Sequence, residues 1–271
     1  LRSLHKAVIL AAGRGTRMLQ PDPAARLDSA QAAAADAGLK GMVPFGRPFL
    51  DYVVSALADA GIREACIVVG PGPSAIRGHY AAAAPERVRV VFAVQSEPLG
   101  TANALLAAEE FAGGDEFLAL NSDNYYPVPA IRALVCLGQP GLPVFEREAL
   151  LAKSNFPRER VERYAVLAVD GGGYLADIVE KPDAAALSAA SGAVLLSMNL
   201  WRFSPLIFEA CRRVARSTRG EFELPQAVAF GIRKMGLRLR AVPCDEGVLD
   251  LSTRGDIGAV EQRLRGIEAR P

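Results

Sequence analysis

The chain has 271 residues, 51% hydrophobic and 23% charged, with a formal net charge of +1, enough length for a full buried core in one large α/β domain or two small ones. The near balance of acids and bases leaves no extended basic field for nucleic acid or a membrane surface, and no apolar run approaches the roughly 18 residues of a bilayer-spanning helix. Cys66, Cys136, Cys211 and Cys244 are scattered without a C-x-x-C pair, which argues against a metal cage or redox motif and for reduced, mostly buried thiols.

Small molecules are therefore the expected partners, with neither nucleic acid nor membrane. Leu1 to Lys6 lack a signal-peptide core, so a cytoplasmic protein is expected. Val8, Ile9 and Leu10 form a run too short for a helix and branched enough for a strand buried on both faces. The run stops at Gly13-Arg-Gly-Thr-Arg-Met18. Gly13 and Gly15 lack Cβ, so the backbone can take positive φ and approach a bound group with its N–H groups facing an anion, and Arg14 and Arg17 add fixed positive charge. A polyphosphate suits this turn, although a plain strand-to-loop turn with two solvated arginines accounts for the same residues equally well. It is not the P-loop, since no Gly-Lys-Ser/Thr follows, nor the dinucleotide fingerprint, which needs a third glycine.

Asp28-Ser-Ala-Gln31 reads as a capping box opening a helix through Ala37, with Gly38 at its exit; the alternative is a mobile Ala-rich loop. Phe49, Val53, Ala56, Leu57 and Ala60 recur at helical spacing, and Gly61 ends that helix. Glu64 to Val69 is a second strand, Pro73 to Ala83 a helix and Val88 to Val94 a third strand. This alternation predicts a parallel, doubly wound sheet with its ligand site at the C-terminal strand ends. The third strand runs into Gln95-Ser-Glu-Pro-Leu-Gly-Thr-Ala-Asn-Ala104, where Pro98 and Gly100 mark a turn and Thr101 is expected to cap a helix through Ala108.

Asp115 to Leu120 is a fourth strand leading to Asn121-Ser-Asp-Asn-Tyr125. A lone Asp in a turn is more often an Asx cap, but a carboxylate just past a strand end stands where ligand phosphates sit, and Mg²⁺ takes hard oxygen ligands, so Asp123 is a metal candidate. After a helix from Pro129 to Leu137 the alternation weakens. Glu162 to Asp170 and Tyr174 to Pro182 flank a glycine turn as a hairpin, and Val194 to Phe203 reads as one strand. Ser204 and Pro205 start a helix to Ala215, Glu221 and Glu223 read as helix-start charges, and Leu249-Asp-Leu-Ser-Thr253 precedes a helix from Asp256 to Leu264.

Leu10-Ala-Ala-Gly-Arg-Gly-Thr-Arg-Met18, followed by Lys40-Gly-Met-Val-Pro44 and Gly46-Arg-Pro48, resembles the paired signature of the sugar-phosphate nucleotidyltransferases, L-A-G/A-G-x-G-T-R-L/M with K-x-M/L-x-P and G-K/R-P. Gln95 to Ala102 resembles that family's Q-x-x-P-L-G-T-A segment, and Glu180-Lys-Pro182 its E-K-P. The resemblance implies a Rossmann-like, doubly wound α/β fold with a mixed, mostly parallel sheet. It implies one nucleotidyltransferase domain over 1–271, with a nucleotide-binding half at about 1–140, a sugar-binding half at about 141–271, and no room for the left-handed β-helix domain of some relatives. It further implies that Leu10, Ala11, Ala12, Gly13, Gly15 and Thr16 wrap the nucleotide, that Arg17 and Lys40 hold its phosphates, and that Gln95 and Gly100, with Thr101 beside them, read the base.

By the same resemblance Asp123 and Asp250 hold Mg²⁺, Glu180 binds sugar hydroxyls, Lys181 holds the sugar phosphate, and Asn199 and Ala165 face the sugar. The implied catalytic set is Arg17, Lys40, Asp123 and Lys181. The Gln95 amide offers both a donor and an acceptor, which suits the imide edge of uracil or thymine. The implied reaction passes a nucleotidyl group from UTP or dTTP to a glucose 1-phosphate-like sugar 1-phosphate and releases pyrophosphate. The chain departs from the family in the 22 residues between Arg17 and Lys40, in Ala165 for Gly, in Asn121-Ser122 for Leu-Gly, in Pro225-Gln226 for Thr-Asp and in Leu251-Ser252 for Gly-Thr. The long spacer admits a further role as a lid over the nucleotide. Two other readings stand beside the enzyme: a nucleotide-sugar-binding regulatory protein without turnover, and a cytidylyltransferase for a non-sugar alcohol phosphate. Homo-oligomerisation is compatible with all three.

Overall fold

Alternate side chains of the first strand, β1 (Lys6–Leu10), part to opposite faces of the sheet, Ala7 and Ile9 into one apolar cluster and Val8 and Leu10 into the other. A strand buried on both faces has to be apolar throughout, which is why the run has no polar alternation. The structure, a computed structural model, describes residues 4–162, 164–179 and 194–271. After β1 come helix α1 (Ser29–Asp36), the two short strands β2 (Pro44–Phe45) and β3 (Arg47–Pro48), and helix α2 (Phe49–Asp59). β4 (Glu64–Val69), α3 (Ala75–Ala83), β5 (Arg89–Val94), α4 (Thr101–Leu106), α5 (Glu109–Ala112), β6 (Phe117–Asn121), β7 (Asn124–Tyr125) and α6 (Val128–Cys136) complete the first half.

The second half holds β8 (Gly141–Glu146), α7 (Arg147–Lys153), α8 (Arg158–Val161), the hairpin β9 (Val166–Val169) and β10 (Leu175–Val179), then β11 (Leu195–Leu196) and β12 (Trp201–Phe203). Helices Leu206–Arg213 and Leu224–Met235, strands β13 (Arg240–Cys244) and β14 (Leu249–Asp250), and helix Asp256–Leu264 follow. The main sheet runs β10-β9-β11-β8-β12-β6-β1-β4-β5, with β13 against β8. Its first-half strands β6, β1, β4 and β5 are mutually parallel, and β13 is parallel to β8. The remaining pairings are antiparallel. The expected mixed, mostly parallel α/β fold is present. Among the described residues no helix is long and apolar enough to cross a membrane.

Two expectations are corrected, and two strands are added. Val194 to Phe203 is not one strand: β11 and β12 are separated at Asn199, whose φ of +56° lies in the turn that takes the chain from one side of β8 to the other. Asn tolerates that left-handed conformation better than most residues. Thr101 does not cap α4; Gly100 holds the N-cap position, and the Thr101 hydroxyl accepts from the Leu224 N–H at 2.8 Å, pinning the start of a later helix. β8 and β13 escape a pattern reading because Pro143 and Pro243 interrupt them, and proline argues against a strand interior. Cys66, Cys211 and Cys244 are buried free thiols and Cys136 is exposed.

Candidate active site

The site forms where β1, β4 and β6 end together. The Ala11 N–H donates to the Val68 carbonyl and the Ser122 N–H to the Leu10 carbonyl, so the turn after β1 starts clamped between its two parallel neighbours. A cleft of about 650 Å³ opens there. Leu10, Ala11, Ala12, Gly13, Gly15, Thr16, Arg17, Lys40, Gln95, Gly100, Thr101 and Asp123 all line it, so the structure gathers into one cavity the whole nucleotide-side set read from the sequence. Arg14 and Arg17 are exposed, and among the described residues neither guanidinium has an ion-pair partner, so their charge is uncompensated at the rim.

The two glycines of the turn do different work. Gly15 alone takes positive φ, +63°, and a Cβ on it would lie 2.1 Å from the Gly38 carbonyl oxygen. Gly13 takes no such φ, and its missing Cβ leaves open space with nothing within 4 Å. Sequence had credited both with the same freedom. The Gly15 contact also places the long spacer: α1 carries the expected capping box, Asp28 Oδ1 accepting from the Gln31 N–H at 2.8 Å and Gln31 Oε1 from the Asp28 N–H at 3.3 Å. Gln31 Nε2 donates to the Pro44 carbonyl, and Arg254 ties Asp36 to the Met18 carbonyl. Tied to Pro44 and Arg254 in this way, the spacer reaches the cleft through Gly38 and Leu39.

Among the lining residues Gln95 is only 6% exposed. Its Nε2 donates to the Gly100 carbonyl at 3.0 Å and to Asn103 Oδ1 at 2.8 Å, so both of its N–H groups are used inside the protein. The expectation that this amide offers donor and acceptor together is therefore corrected: Oε1 alone remains for a ligand. Gly100 must be glycine, since a Cβ there would meet the Phe222 carbonyl oxygen at 2.5 Å at a φ of +107°. Glu221 lines the same cleft rather than merely starting a helix, and Glu223 pairs with Arg219 at 2.6 Å.

In the same cleft Lys40 Nζ lies 2.9 Å from Asp123 Oδ2. The strand pair β7 and β14 sets Asp250 opposite Asn124, and the Leu251 N–H donates to the Asp123 carbonyl at 2.8 Å. Thus two aspartates far apart in sequence become neighbours. Asp250 Oδ1 meets Arg160 at 3.2 Å, Arg160 meets Asp256 at 2.8 Å, and Asn124 Nδ2 approaches Asp250 Oδ2 at 3.3 Å. Asn155 holds the Asp250 backbone through both its N–H and its carbonyl. Burial first, and then the Asp123 charge, push the Asp250 carboxyl up from 3.8 to about 6.

Among the described residues no three His, Cys, Asp or Glu side chains group as a metal cage. The pair of hard carboxylates nevertheless fits a cation whose other ligands are phosphate oxygens and water, and such a cation would favour the charged form of an Asp250 carboxyl that burial, and after it the Asp123 charge, disfavours. Tyr126, fully buried, donates to the Met198 carbonyl at 2.6 Å and lies 3.3 Å from that of Asn199, and the Ala165 carbonyl accepts from the Ser197 N–H. Neither Asn199 nor Ala165 lines the cleft that holds Lys40 and Asp123. Glu180 and Lys181 lie outside the described residues. Sequence reasoning missed Asn103, Arg160 and Asn155, which belong to no motif and gain their roles only by proximity.

The Asp250 carboxyl makes stability pH-dependent. A carboxyl whose folded value is raised favours the fold fully below its unfolded value near 3.8 and loses that contribution as pH rises through about 6. Asp250→Asn is expected to match the parent's thermal midpoint near pH 4 and to exceed it by several degrees at pH 7 to 8, measured without divalent cations. Equal midpoints at both pH values would contradict it.

An α/β sheet with a glycine-basic turn, a buried glutamine amide and two neighbouring aspartates beyond its strand ends has the form of a nucleotide-handling enzyme of the nucleotidyltransferase class. The nucleotidyl transferase family model matches residues 35–236, and the chain belongs to that family. A UTP–glucose-1-phosphate uridylyltransferase of Haloferax volcanii is 30% identical over 266 residues, covering 96% of each chain. A glucose-1-phosphate thymidylyltransferase of Streptomyces griseus is 30% identical over 226 residues, 83% of this chain and 56% of that protein. In fold, a UDP-glucose pyrophosphorylase solved with UDP-glucose superposes with a TM-score of 0.71 at 20% identity, covering 97% of this chain and 99% of that one.

Proposed function

We propose that this enzyme transfers a nucleotidyl group from UTP or dTTP to glucose 1-phosphate or a closely similar sugar 1-phosphate, giving a nucleotide sugar and pyrophosphate. The observation that carries the reading is that Lys40 and Asp123, 2.9 Å apart, share one cleft with Gln95 and the glycine-basic turn, while the β7–β14 pair brings Asp250 beside Asp123. The relatives named for uridylyl and thymidylyl transfer to glucose 1-phosphate support the same substrates.

In such a reaction a sugar-phosphate oxygen attacks the α-phosphorus, the new P–O bond forms and the α–β bridge breaks, so catalysis rests on in-line positioning and on charge neutralisation. The turn at Gly13 to Arg17 wraps the triphosphate, with Arg17 and Lys40 beside the β- and γ-phosphates that leave as pyrophosphate. Asp123 and Asp250 would hold Mg²⁺, which when bound neutralises phosphate charge. Lys181 and Glu180 serve the sugar phosphate and the sugar hydroxyls, with Asn199 and Ala165 shaping that side. Nothing in this scheme needs a covalent intermediate, and the molecule acts in the cytoplasm on small substrates.

Pyrophosphate release across a grid of nucleoside triphosphates and sugar 1-phosphates tests the reading. UTP and dTTP are expected to exceed ATP and GTP by about tenfold or more in kcat/KM, since an unmatched buried polar group costs roughly 1–3 kcal/mol. Equal constants for all four nucleotides would refute the base assignment, and no release with any pair would refute the activity.

A further inference from the structure

The amide of Gln95 is held one way round. Its nitrogen faces the Gly100 main-chain carbonyl, a group that only accepts, so that atom has to be the NH₂. The Asn103 atom receiving the second N–H at 2.8 Å must then be an oxygen. With both N–H groups committed, Oε1 has no partner among the described residues and is the polar atom that Gln95 keeps for the cleft it lines. The Gly100 carbonyl is part of the backbone and also takes the Ala104 N–H at 3.0 Å. Asn103, half-buried in the first turn of α4, is the anchor that a side chain supplies.

We infer that Asn103 is a positioning residue that decides pyrimidine specificity: by accepting from Gln95 it fixes Oε1 toward the base and selects uracil or thymine against cytosine. The inference rests on the reading of Gln95 as the base contact. The imide of uracil or thymine carries an N–H at N3 and donates to Oε1. Cytosine has a lone pair at N3, so two acceptors would face each other in a site shielded from water. A free glutamine amide discriminates poorly, because turning it over presents a donor to cytosine as readily as an acceptor to uracil. Discrimination therefore comes from the lock, and α4 carries it because its first turn brings residue 103 back over residue 95.

The test is kcat/KM for UTP and CTP, with thermal midpoints, in the parent, Asn103→Leu and Asn103→Asp; Asn103→Ala replaces the Leu variant if that does not fold. Leu or Ala is expected to lower the UTP-to-CTP ratio roughly tenfold or more, mainly by raising CTP use, because one acceptor of a buried donor is lost. Asp retains an oxygen at that position and is expected to keep the ratio. Leu and Ala variants that lose activity toward both nucleotides equally, or that leave the ratio unchanged, would overturn the role of Asn103 while the base contact stands. A parent that uses CTP as well as UTP would instead overturn the reading of Gln95 itself.

Discussion

Asp123→Asn is expected to lower turnover by at least about a hundredfold with the fold intact. Asp123 lies past the end of β6 with its carboxylate on Lys40 and its backbone carbonyl on the Leu251 N–H, so the variant keeps the backbone tie and removes one negative charge from the phosphate end. A neutral amide is a poor ligand for a hard cation, and neutralising migrating phosphate charge is worth several kcal/mol in reactions of this type. The amide oxygen of the variant can still accept from Lys40, so the thermal midpoint is expected to stay close to that of the parent. Pyrophosphate release with saturating Mg²⁺ beside a melting curve checks both halves. Activity within a few fold of the parent would remove Asp123 from the reacting centre.

Gly15→Ala is the second large effect, and Gly13→Ala is its control. An alanine at position 15 takes a left-handed φ, costing about 1–2 kcal/mol, and its Cβ would overlap the Gly38 carbonyl oxygen. The carbonyl is backbone and the Cβ is bonded rigidly to backbone, so relief requires the turn and the spacer to separate, a further cost on the order of 1–3 kcal/mol. Gly15→Ala is thus expected to lose roughly 2–5 kcal/mol of stability and at least about tenfold in nucleotide affinity. Gly13→Ala meets nothing in the ligand-free protein and is expected to leave stability within about 0.5 kcal/mol, while its methyl enters the space the nucleotide uses. Denaturant unfolding and calorimetric titration with UTP separate the two. Normal UTP binding by Gly13→Ala would show that this glycine does not approach the ligand.

The local pattern of residues was enough for β1, β4 and β5, for the capping box of α1, for the helix Phe49–Asp59 and for the family motifs on the nucleotide side, because each depends on short-range features: a short branched apolar run, a side chain reaching a first-turn N–H, a glycine at a sharp exit. The resemblance to the family named Asp123 and Asp250 together. Their adjacency was decided by tertiary structure, through the pairing of β7 with β14, and so were the Arg160 and Asp256 contacts that surround Asp250. The same holds for Gly15, whose need to be glycine comes from Gly38 in a distant turn, and for Gln95, whose amide loses its donors to Gly100 and Asn103. The chain by itself determined which chemical groups are available. Which of them are already spent on one another, and which are left for a ligand, depends on long-range packing, because a hydrogen bond is used or free only once its partner has been brought within about 3 Å.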